Sequence, residues 1–352
     1  MSSKVRIGFV GVGGMGQMAH LRNYAVLDEC EVVAIAEVRQ NTARRVAQRY
    51  HVPKIYRTHE ELLAHEKLDA IVASQQFRRH GILVPELLKA GIPVFMEKPL
   101  SGSLQYGEKI LDAVKKSDTW MMIGYHKRSD PATMYAKAEV DRLKQTGELG
   151  ALKYIRSLMP AGDWIANGFT GLINEKEGDL PPFDWEKPAP DMDKATFDAY
   201  TAFVNYYIHQ VNILRHFLSE DYHATYADPS GVLLCAESDS GVCVTIEMSP
   251  YCTTIDWQEH VLVCFERGWV RVDLPAPMVS NQPGVVEIYR DPGNGAVPTR
   301  TVPTLPHVHA MDQQARNFVA AVKGECPPMC GPEDALKDLQ VAREYIRLRY
   351  GK

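Results

Sequence analysis

Four glycines lie within six residues near the start of the chain, at a spacing that suits a diphosphate ligand. They follow the apolar run Val5–Val10 directly and precede a stretch with helical character. In such a strand–loop–helix unit, the first glycine makes a tight turn and the second lets a pyrophosphate approach the backbone. The third lets the helix pack on the strand, and the amino end of the helix attracts phosphate charge. The spacing therefore predicts a dinucleotide-binding loop, whose residues are Gly11, Gly13, Gly14, Met15 and Gly16.

An acidic residue, Glu37, ends the second predicted strand about 20 residues after this loop, as ribose recognition requires. Its carboxylate accepts hydrogen bonds from ribose hydroxyls and repels a 2′-phosphate. Arg39 stands two residues further on and offers a positive charge that a 2′-phosphate would accept. We therefore predict that Glu37 and Arg39 contact the cofactor, that NAD is this cofactor, and that NADP is the less favoured alternative.

The run Glu97-Lys98-Pro99 places two opposite charges directly after an apolar segment, residues 93–96. A lysine at the carboxyl end of a parallel strand lies at the edge where such sheets bind ligands. There, its ammonium group can donate to a hydroxyl and stabilise an alkoxide. A solvated turn is the alternative interpretation. Because cis peptide bonds are largely confined to proline, we also expect a cis Lys98–Pro99 bond.

Residues 201–220 predict one helix with two separate stripes. Apolar residues recur at three- and four-residue spacing and form a core stripe. Asn205, His209, Asn212 and His216 form the other stripe, which carries neutral hydrogen-bonding groups that suit a polyhydroxylated ligand. His209 is the candidate proton acceptor because the unperturbed pKa of histidine lies near neutrality. A polar face buried against other parts of the protein is the alternative.

The elements that must position these residues fall into two regions. The first 125 residues alternate short apolar strands with helices, which predicts a doubly wound parallel sheet of the Rossmann type. Residues 161–200 show no steady period and are interpreted as a long loop region. From Gly231 to about Tyr289, alternating runs separated by turn signals predict antiparallel strands, and helices return near the end. The predicted fold is a Rossmann α/β domain, residues 1–125, followed by an α+β domain, residues 126–352, with a large, mainly antiparallel sheet.

Composition excludes several classes of protein. The chain has 352 residues and a formal net charge of −5, without a basic block, so nucleic acid is not an expected partner. No apolar run reaches the ~18–20 residues of a membrane span, and the first residues lack a signal-peptide pattern. The seven cysteines are scattered and lack zinc spacing, so we expect a cytoplasmic protein without a metal site.

Taken together, GVGGMG at 11–16, MEKPLS at 96–101 and GYHKRSDPA at 124–132 resemble the Gfo/Idh/MocA family of NAD(P)-dependent sugar and polyol oxidoreductases. The resemblance implies that Lys98 stabilises the reacting oxygen, that Glu97 orients the lysine or the cofactor, and that the second domain binds substrate and forms oligomers. Three candidate substrate residues leave the last Rossmann strand, namely Tyr125, Lys127 and Arg128, of which the last two match the family better. A purely structural role for any of them is the alternative. Asp163 and Trp164 are candidates for a sugar-binding loop, because an aromatic face stacks on a pyranose.

The family usually carries an aspartate four residues before its catalytic histidine, and this chain has Asn205 four residues before His209. The predicted activity is NAD-dependent oxidation of a secondary hydroxyl of a sugar, glycoside or cyclitol to a ketone, with Lys98 and His209 as catalytic residues. A redox-neutral NAD-dependent glycosidase and a non-catalytic sugar or NAD sensor of the same fold are the alternatives. A large sheet with one uncovered face also predicts a homodimer, homotetramer or higher homo-oligomer.

Overall fold

A computed structural model describes residues 4–351 and divides them into two compact units. The first unit comprises residues 4–125, 167–191 and 311–336, and the second comprises residues 126–166, 192–310 and 337–351. The segments 167–191 and 311–336 thus pack with the first unit although they follow residue 125. The assignment of a cofactor domain and a substrate domain stays a prediction.

The first unit is built on a six-stranded parallel sheet with the strand order β3-β2-β1-β4-β5-β6. This order is that of the dinucleotide-binding doubly wound fold. In this fold the strand order reverses between β1 and β4, and a crevice lies there at the carboxyl ends of the strands. The predicted Rossmann sheet is therefore confirmed. Its strands are β1 Val5–Val10, β2 Cys30–Ala36, β3 Lys54–Tyr56, β4 Ala70–Ala73, β5 Val94–Glu97 and β6 Met121–Gly124.

Helices cover this sheet between the strands. Helix α1 consists of a π-helical stretch, Gly16–Leu21, and one α-helical turn, Arg22–Tyr24. The helix that begins at His59 is capped by Thr58, whose hydroxyl accepts a hydrogen bond from the amide of Glu61, 3.2 Å away. The other helices between the strands are α2 Gln40–Tyr50, α3 His59–His65, α4 His80–Leu88 and α5 Leu104–Lys116.

An aromatic cluster explains why residues 311–336 belong to the first unit. The Phe318 ring is fully buried, with its centroid 5.6 Å from that of Phe95 and 6.4 Å from that of Tyr24. Phe9 packs edge-on against Tyr24 at 5.5 Å. Truncating a buried phenylalanine costs about 3–5 kcal/mol. This part of the chain therefore completes the core under β1 and β5.

The second unit contains an eight-stranded sheet in the order β14-β13-β12-β11-β7-β10-β9-β8. Only β7 and β10 pair in parallel, so the predicted mainly antiparallel sheet is confirmed. The strands after Gly231 do not form one continuous meander, because β7 lies between β10 and β11. The strands are β7 Leu152–Ala161, β8 Tyr222–Ala227, β9 Leu233–Ser238, β10 Cys243–Cys252, β11 His260–Phe265, β12 Gly268–Asp273, β13 Val285–Arg290 and β14 Thr299–Thr301.

The predicted single helix over 201–220 is divided. Helix α7, Lys194–Tyr206, and helix α8, Ile208–Leu218, are separated by Tyr207, which caps both. Because α7 begins at Lys194, the predicted loop region is also shorter than 161–200. The remaining helices are α6 Pro131–Thr146, α9 Ala310–Val322 and α10 Pro332–Tyr350. None of the helices within residues 4–351 has the length and apolar content that a bilayer crossing needs.

Candidate active site

The glycine loop begins where β1 ends, and two of its glycines are required by close backbone contacts. Gly11 has φ +90°, and a Cβ there would lie 2.4 Å from the carbonyl oxygen of Ser74. A Cβ on Gly16 would lie 2.5 Å from the carbonyl oxygen of Gly11. Real Cβ atoms do not come this close to backbone atoms, so larger residues at 11 or 16 would displace the loop from the sheet.

The two central glycines face free space instead. A Cβ on Gly13 would meet only the Arg39 guanidinium, at 3.5 Å, and a Cβ on Gly14 only the Phe169 ring, at 3.7 Å. Gly13, Gly14 and Met15 are partly exposed. A ligand group can therefore approach this backbone where a side chain would otherwise stand, and the loop fits the pyrophosphate of a dinucleotide.

The carboxylate of Glu37 connects the glycine loop to the start of α2. It accepts hydrogen bonds from the amide of Val12 at 3.0 Å and the amide of Arg39 at 3.0 Å. The Arg39 guanidinium donates two more, from Nε at 3.0 Å and from a terminal nitrogen at 2.8 Å. Burial would raise the pKa of Glu37, but the hydrogen bonds and charge of Arg39 hold it below its ordinary value. Glu37 is therefore a carboxylate at the carboxyl end of β2, as ribose recognition requires.

Lys98 follows β5 directly, and the predicted cis bond to Pro99 is confirmed. The backbone amide of Lys98 donates to one oxygen of Glu97, at 3.0 Å. The other oxygen of Glu97 lies 2.6 Å from Nε2 of His20, which belongs to the π-helical stretch of α1. On the far side, His80 lies 2.9 Å from the carbonyl oxygen of Pro99 through Nδ1. The backbone around Lys98 is thus held from both α1 and α4.

The His20–Glu97 pair is almost completely buried, with side-chain exposures of 2% and 8%. Burial would raise the pKa of Glu97, but the hydrogen bond and charge of His20, together with the charge of Lys98, keep it below its ordinary value. Sequence reasoning missed His20. A π-helical stretch beside a glycine loop often marks a functional site, but it becomes visible only in the structure.

Sequence reasoning also missed the segment 167–191, which runs along the first unit from the glycine loop to α4. The Gln17 side chain donates to the carbonyl oxygen of Ile173, at 2.9 Å, and accepts from its amide, at 3.1 Å. Further along, the Glu186 carboxylate accepts from the amides of Gly81 and Gly102, both at 2.7 Å. Burial raises the pKa of Glu186 to about 7, although these amide bonds oppose the shift.

In the second unit, Asn205 and His209 do not share one regular helix. Asn205 is exposed near the end of α7, whereas His209 is half-buried in the first turn of α8. The His209 ring packs edge-on against the ring of His126, with 4.8 Å between centroids. The predicted polar stripe is therefore interrupted at Tyr207, whose hydroxyl bonds to Ser249 of β10.

Lys127 and Arg128, two predicted substrate residues, are buried and bonded inside the second unit. Lys127 forms an ion pair with the fully buried Glu259, which also accepts from Gln210 at 2.7 Å. Burial lowers the pKa of Lys127, and the charge of Glu259 opposes this. Arg128 donates through Nε to Asn212, at 2.7 Å. These contacts fix the 3₁₀ turn that follows Tyr125.

The amide of Asn212 continues this network to Asp338 of α10, at 2.6 Å, and Asp338 also accepts from Arg215 at 2.8 Å. Burial raises the pKa of Asp338, and the charge of Arg215 opposes the shift. Asn212, expected on a ligand-facing stripe, is 1% exposed. Asn212 therefore belongs to a buried polar face, which was the alternative interpretation of this stripe.

The remaining predicted residues are Tyr125, Asp163 and Trp164. Tyr125 is buried at the end of the first unit. One oxygen of Asp163 accepts from the amides of Ile165 at 3.1 Å and Ala166 at 3.0 Å, so it stabilises a turn. Trp164 is half-buried, and its carbonyl oxygen accepts from the amide of Met278 at 3.2 Å. Within the described chain, no group of three or more His, Cys, Asp or Glu side chains could hold a metal ion.

Known proteins resemble this chain in sequence and fold. Myo-inositol 2-dehydrogenase of Thermotoga maritima is 25% identical over 226 residues, which cover 64% of this chain and 58% of that protein. Scyllo-inositol 2-dehydrogenase (NAD(+)) of Bacillus subtilis is 24% identical over 71% of this chain and 68% of that protein. The match thus spans less than two thirds of the first of these relatives.

A solved structure with a similar fold is a 3-ketoreductase mutant of Actinomadura kijaniata in complex with TDP-benzene and NADP. It has a TM-score of 0.68 and 16% identity, and the alignment covers 97% of this chain and 96% of that one. Residues 5–125 match the family model described as an oxidoreductase family with an NAD-binding Rossmann fold. Residues 5–125 therefore carry the sequence pattern of the Gfo/Idh/MocA oxidoreductase family.

Proposed function

We propose that this protein is an NAD-dependent dehydrogenase that oxidises a secondary hydroxyl of a sugar, glycoside or cyclitol to a ketone. The observation that carries the proposal is the setting of Lys98 at the carboxyl end of β5. Glu97 holds its amide at 3.0 Å, and buried His20 holds Glu97 at 2.6 Å. A lysine fixed at the ligand-binding edge of a dinucleotide-binding sheet suits stabilisation of an alkoxide.

The glycine loop and Glu37 are the residues that would hold the cofactor. When bound, NAD supplies a hydride acceptor for the carbinol carbon. The first unit contributes the free space over Gly13 and Gly14 and an ionised carboxylate at the ribose position. Relatives and similar structures include both NAD(+) and NADP proteins, and Glu37 supports NAD for this chain.

We propose that Lys98 donates a hydrogen bond to the reacting oxygen and that His209 takes or relays its proton. Asn205 stands where the family carries an aspartate and cannot supply a negative charge to stabilise an imidazolium. Lys98 therefore bears more of the oxygen's developing charge than in relatives that have the aspartate. Lys98→Met should lower kcat by about 100-fold or more, the size typical of general acid–base groups.

Cyclitols are the first substrates to test, because the two relatives reported above are inositol dehydrogenases. The assay follows NADH absorbance with inositols, then free sugars, then glycosides, using wild type and Lys98→Met. We expect the wild type to reduce NAD with one of these three classes of compound, and we expect Lys98→Met to lose most of this activity. Turnover of the best substrate within a few-fold of wild type by Lys98→Met would contradict the proposed role of the lysine.

We also propose a cytoplasmic homo-oligomer. One face of the second sheet is only half-buried in the single chain and carries the stacked rings of Trp269 and Tyr289, whose centroids are 6.0 Å apart. Such a surface is normally covered by a partner subunit. Light scattering after size exclusion measures the mass, and a monomer at micromolar concentration would contradict this proposal.

A further inference from the structure

The amino end of α2 is occupied by a carboxylate from a distant part of the chain. Glu177, in the segment 167–191, accepts from the amide of Asn41 at 3.1 Å with one oxygen. Its other oxygen accepts from the amide of Thr42 at 2.8 Å and from the hydroxyl of Thr42 at 2.9 Å. Asn41 and Thr42 are the second and third residues of the helix. Their amides have no partner within the helix, and such groups bind anions.

Backbone contacts fix the approach of this acidic residue. The Asn41 side chain donates to the carbonyl oxygen of Lys176, at 2.7 Å, and the amide of Glu175 donates to the hydroxyl of Thr42, at 3.2 Å. Asn41 and Thr42 are therefore hydrogen-bonded to three consecutive residues of the segment, 175–177. Glu177 does not reach α2 only through its own flexible side chain.

The helix end lies beside the residues that recognise the ribose. Glu37 directly follows β2, Arg39 precedes the first residue of α2, and Glu177 caps the second and third. In dinucleotide-binding folds, an acidic residue at this strand end contacts the 2′-hydroxyl, and a nearby arginine accommodates the 2′-phosphate of NADP. The free amides of the following helix would be a further place for that phosphate.

The side chains around this position leave little positive charge to attract a phosphate. Arg39 is already bonded twice to Glu37, and its pKa is raised by that hydrogen bond and by the charges of Glu37 and Glu177. Two carboxylates and one guanidinium leave a net charge of −1. Arg45, on the exposed side of α2, is paired with Glu175 at 3.1 Å. Partial burial would raise the pKa of Glu177, but the amide hydrogen bonds lower it below its ordinary value, so the group is ionised at neutral pH.

We propose that Glu177 is a specificity-determining residue that makes this chain select NAD over NADP. It fills the amide groups at the start of α2 that a 2′-phosphate would use, and it adds a second negative charge beside Glu37. The inference rests on the proposed function, because it assumes that the first unit binds a dinucleotide. It adds a determinant that lies 140 residues after Glu37 in the sequence.

The test compares the affinities of NADH and NADPH by fluorescence titration, without substrate. The variants are Glu177→Gln, which removes the charge but keeps an acceptor, and Glu177→Ala, which also frees the two amides. Glu175→Gln is the matched control, since it removes a charge from the same segment but from the exposed pair with Arg45. Circular dichroism and thermal melting establish that each variant is folded.

We expect Glu177→Gln to tighten NADPH binding by about tenfold, the size expected for removing one like charge close to a partly exposed phosphate. Glu177→Ala should tighten it at least as much, NADH should change little, and Glu175→Gln should change neither. Raising the salt concentration should reduce the effect. An unchanged ratio of the two dissociation constants in both folded Glu177 variants would overturn the inference while leaving the dehydrogenase proposal intact. Failure of the wild type to bind either dinucleotide would overturn the proposed function itself.

Discussion

The buried pair of His20 and Glu97 should be strongly coupled, and the chain provides its own control. His20→Ala removes the histidine and leaves the buried carboxylate of Glu97 with the amide and the charge of Lys98. Losing one partner of a buried hydrogen bond to a charged group typically costs about 1.5–3 kcal/mol. Glu97→Gln removes the charge and keeps the shape. The loss in free energy of unfolding should therefore be smaller for the double variant than the sum of the losses of the two single variants. We expect a coupling energy of about 2 kcal/mol.

The control pair is His223 and Glu344, whose atoms lie 2.9 Å apart but whose side chains are 66% and 28% exposed. Exposed pairs contribute only about 0.2–1 kcal/mol, because water already solvates both groups. The same cycle, His223→Ala with Glu344→Gln, should give a coupling below that of the buried pair. Comparing the two pairs tests burial while the chemistry of the partners stays the same.

Urea unfolding at pH 7, followed by tryptophan fluorescence, gives the free energy of unfolding of all seven proteins. Truncation of the His20 ring also loses its packing on Phe95, 5.1 Å between centroids, but this contribution cancels in the cycle. A second measurement, kcat with the best substrate, should fall for His20→Ala because the backbone of Lys98 loses its support. Equal coupling energies for the buried and exposed pairs would refute the reasoning.

Three further predictions concern the segment 167–191 and the glycine loop. The pKa of Glu186 rises from 4.5 to about 7 on folding, so the folded state binds more protons and the free energy of unfolding falls as pH rises through this window. Between pH 5.5 and 8, urea unfolding should show a loss about 2 kcal/mol larger for wild type than for Glu186→Gln, and equal losses would contradict the assignment. Gly16→Ala should destabilise the protein by about 1–3 kcal/mol, because its Cβ would lie 2.5 Å from the carbonyl oxygen of Gly11. Gly178→Ala, which meets nothing within 4 Å, should leave the melting temperature unchanged. The dissociation constant of NADH should rise for Gly16→Ala and stay constant for Gly178→Ala.

The parallel sheet could be predicted from the sequence because its signals are local. Val5–Val10 and Ala70–Ala73 are almost entirely apolar runs, and the structure buries both as strands. Strands whose signals are weak were missed. Lys54–Tyr56 has only three residues, and Leu152–Ala161 includes charged and polar residues on its half-buried face. Its place between β10 and β11 depends on pairing with residues about 90 to 110 positions away.

The division of the predicted helix at Tyr207 has a similar cause. The apolar spacing from 204 to 218 continues through the break, so the periodicity favours one helix. The Tyr207 hydroxyl bonds to Ser249, a contact 42 residues away along the chain. Helix propensity is a weak preference that tertiary contacts override. The i, i+4 relation of Asn205 and His209 could therefore be read from the sequence, but not whether both residues follow one helix axis.

The segment 167–191 shows why the acidic residues of the site were harder to predict than the glycines. A glycine loop can be recognised in the sequence because few residues other than glycine tolerate its backbone angles and close contacts. Glu177 and Glu186 instead bind main-chain amides, at the starts of α2 and α4, and every residue except proline has such an amide. The residue types at the partner positions therefore do not reveal these contacts. The lack of periodicity in the segment itself predicts only a loop. The amides at a helix start are nevertheless limited in number and need acceptors. In a doubly wound sheet the helix starts lie at the ligand-binding edge, so isolated glutamates in a later irregular segment are candidates for those positions.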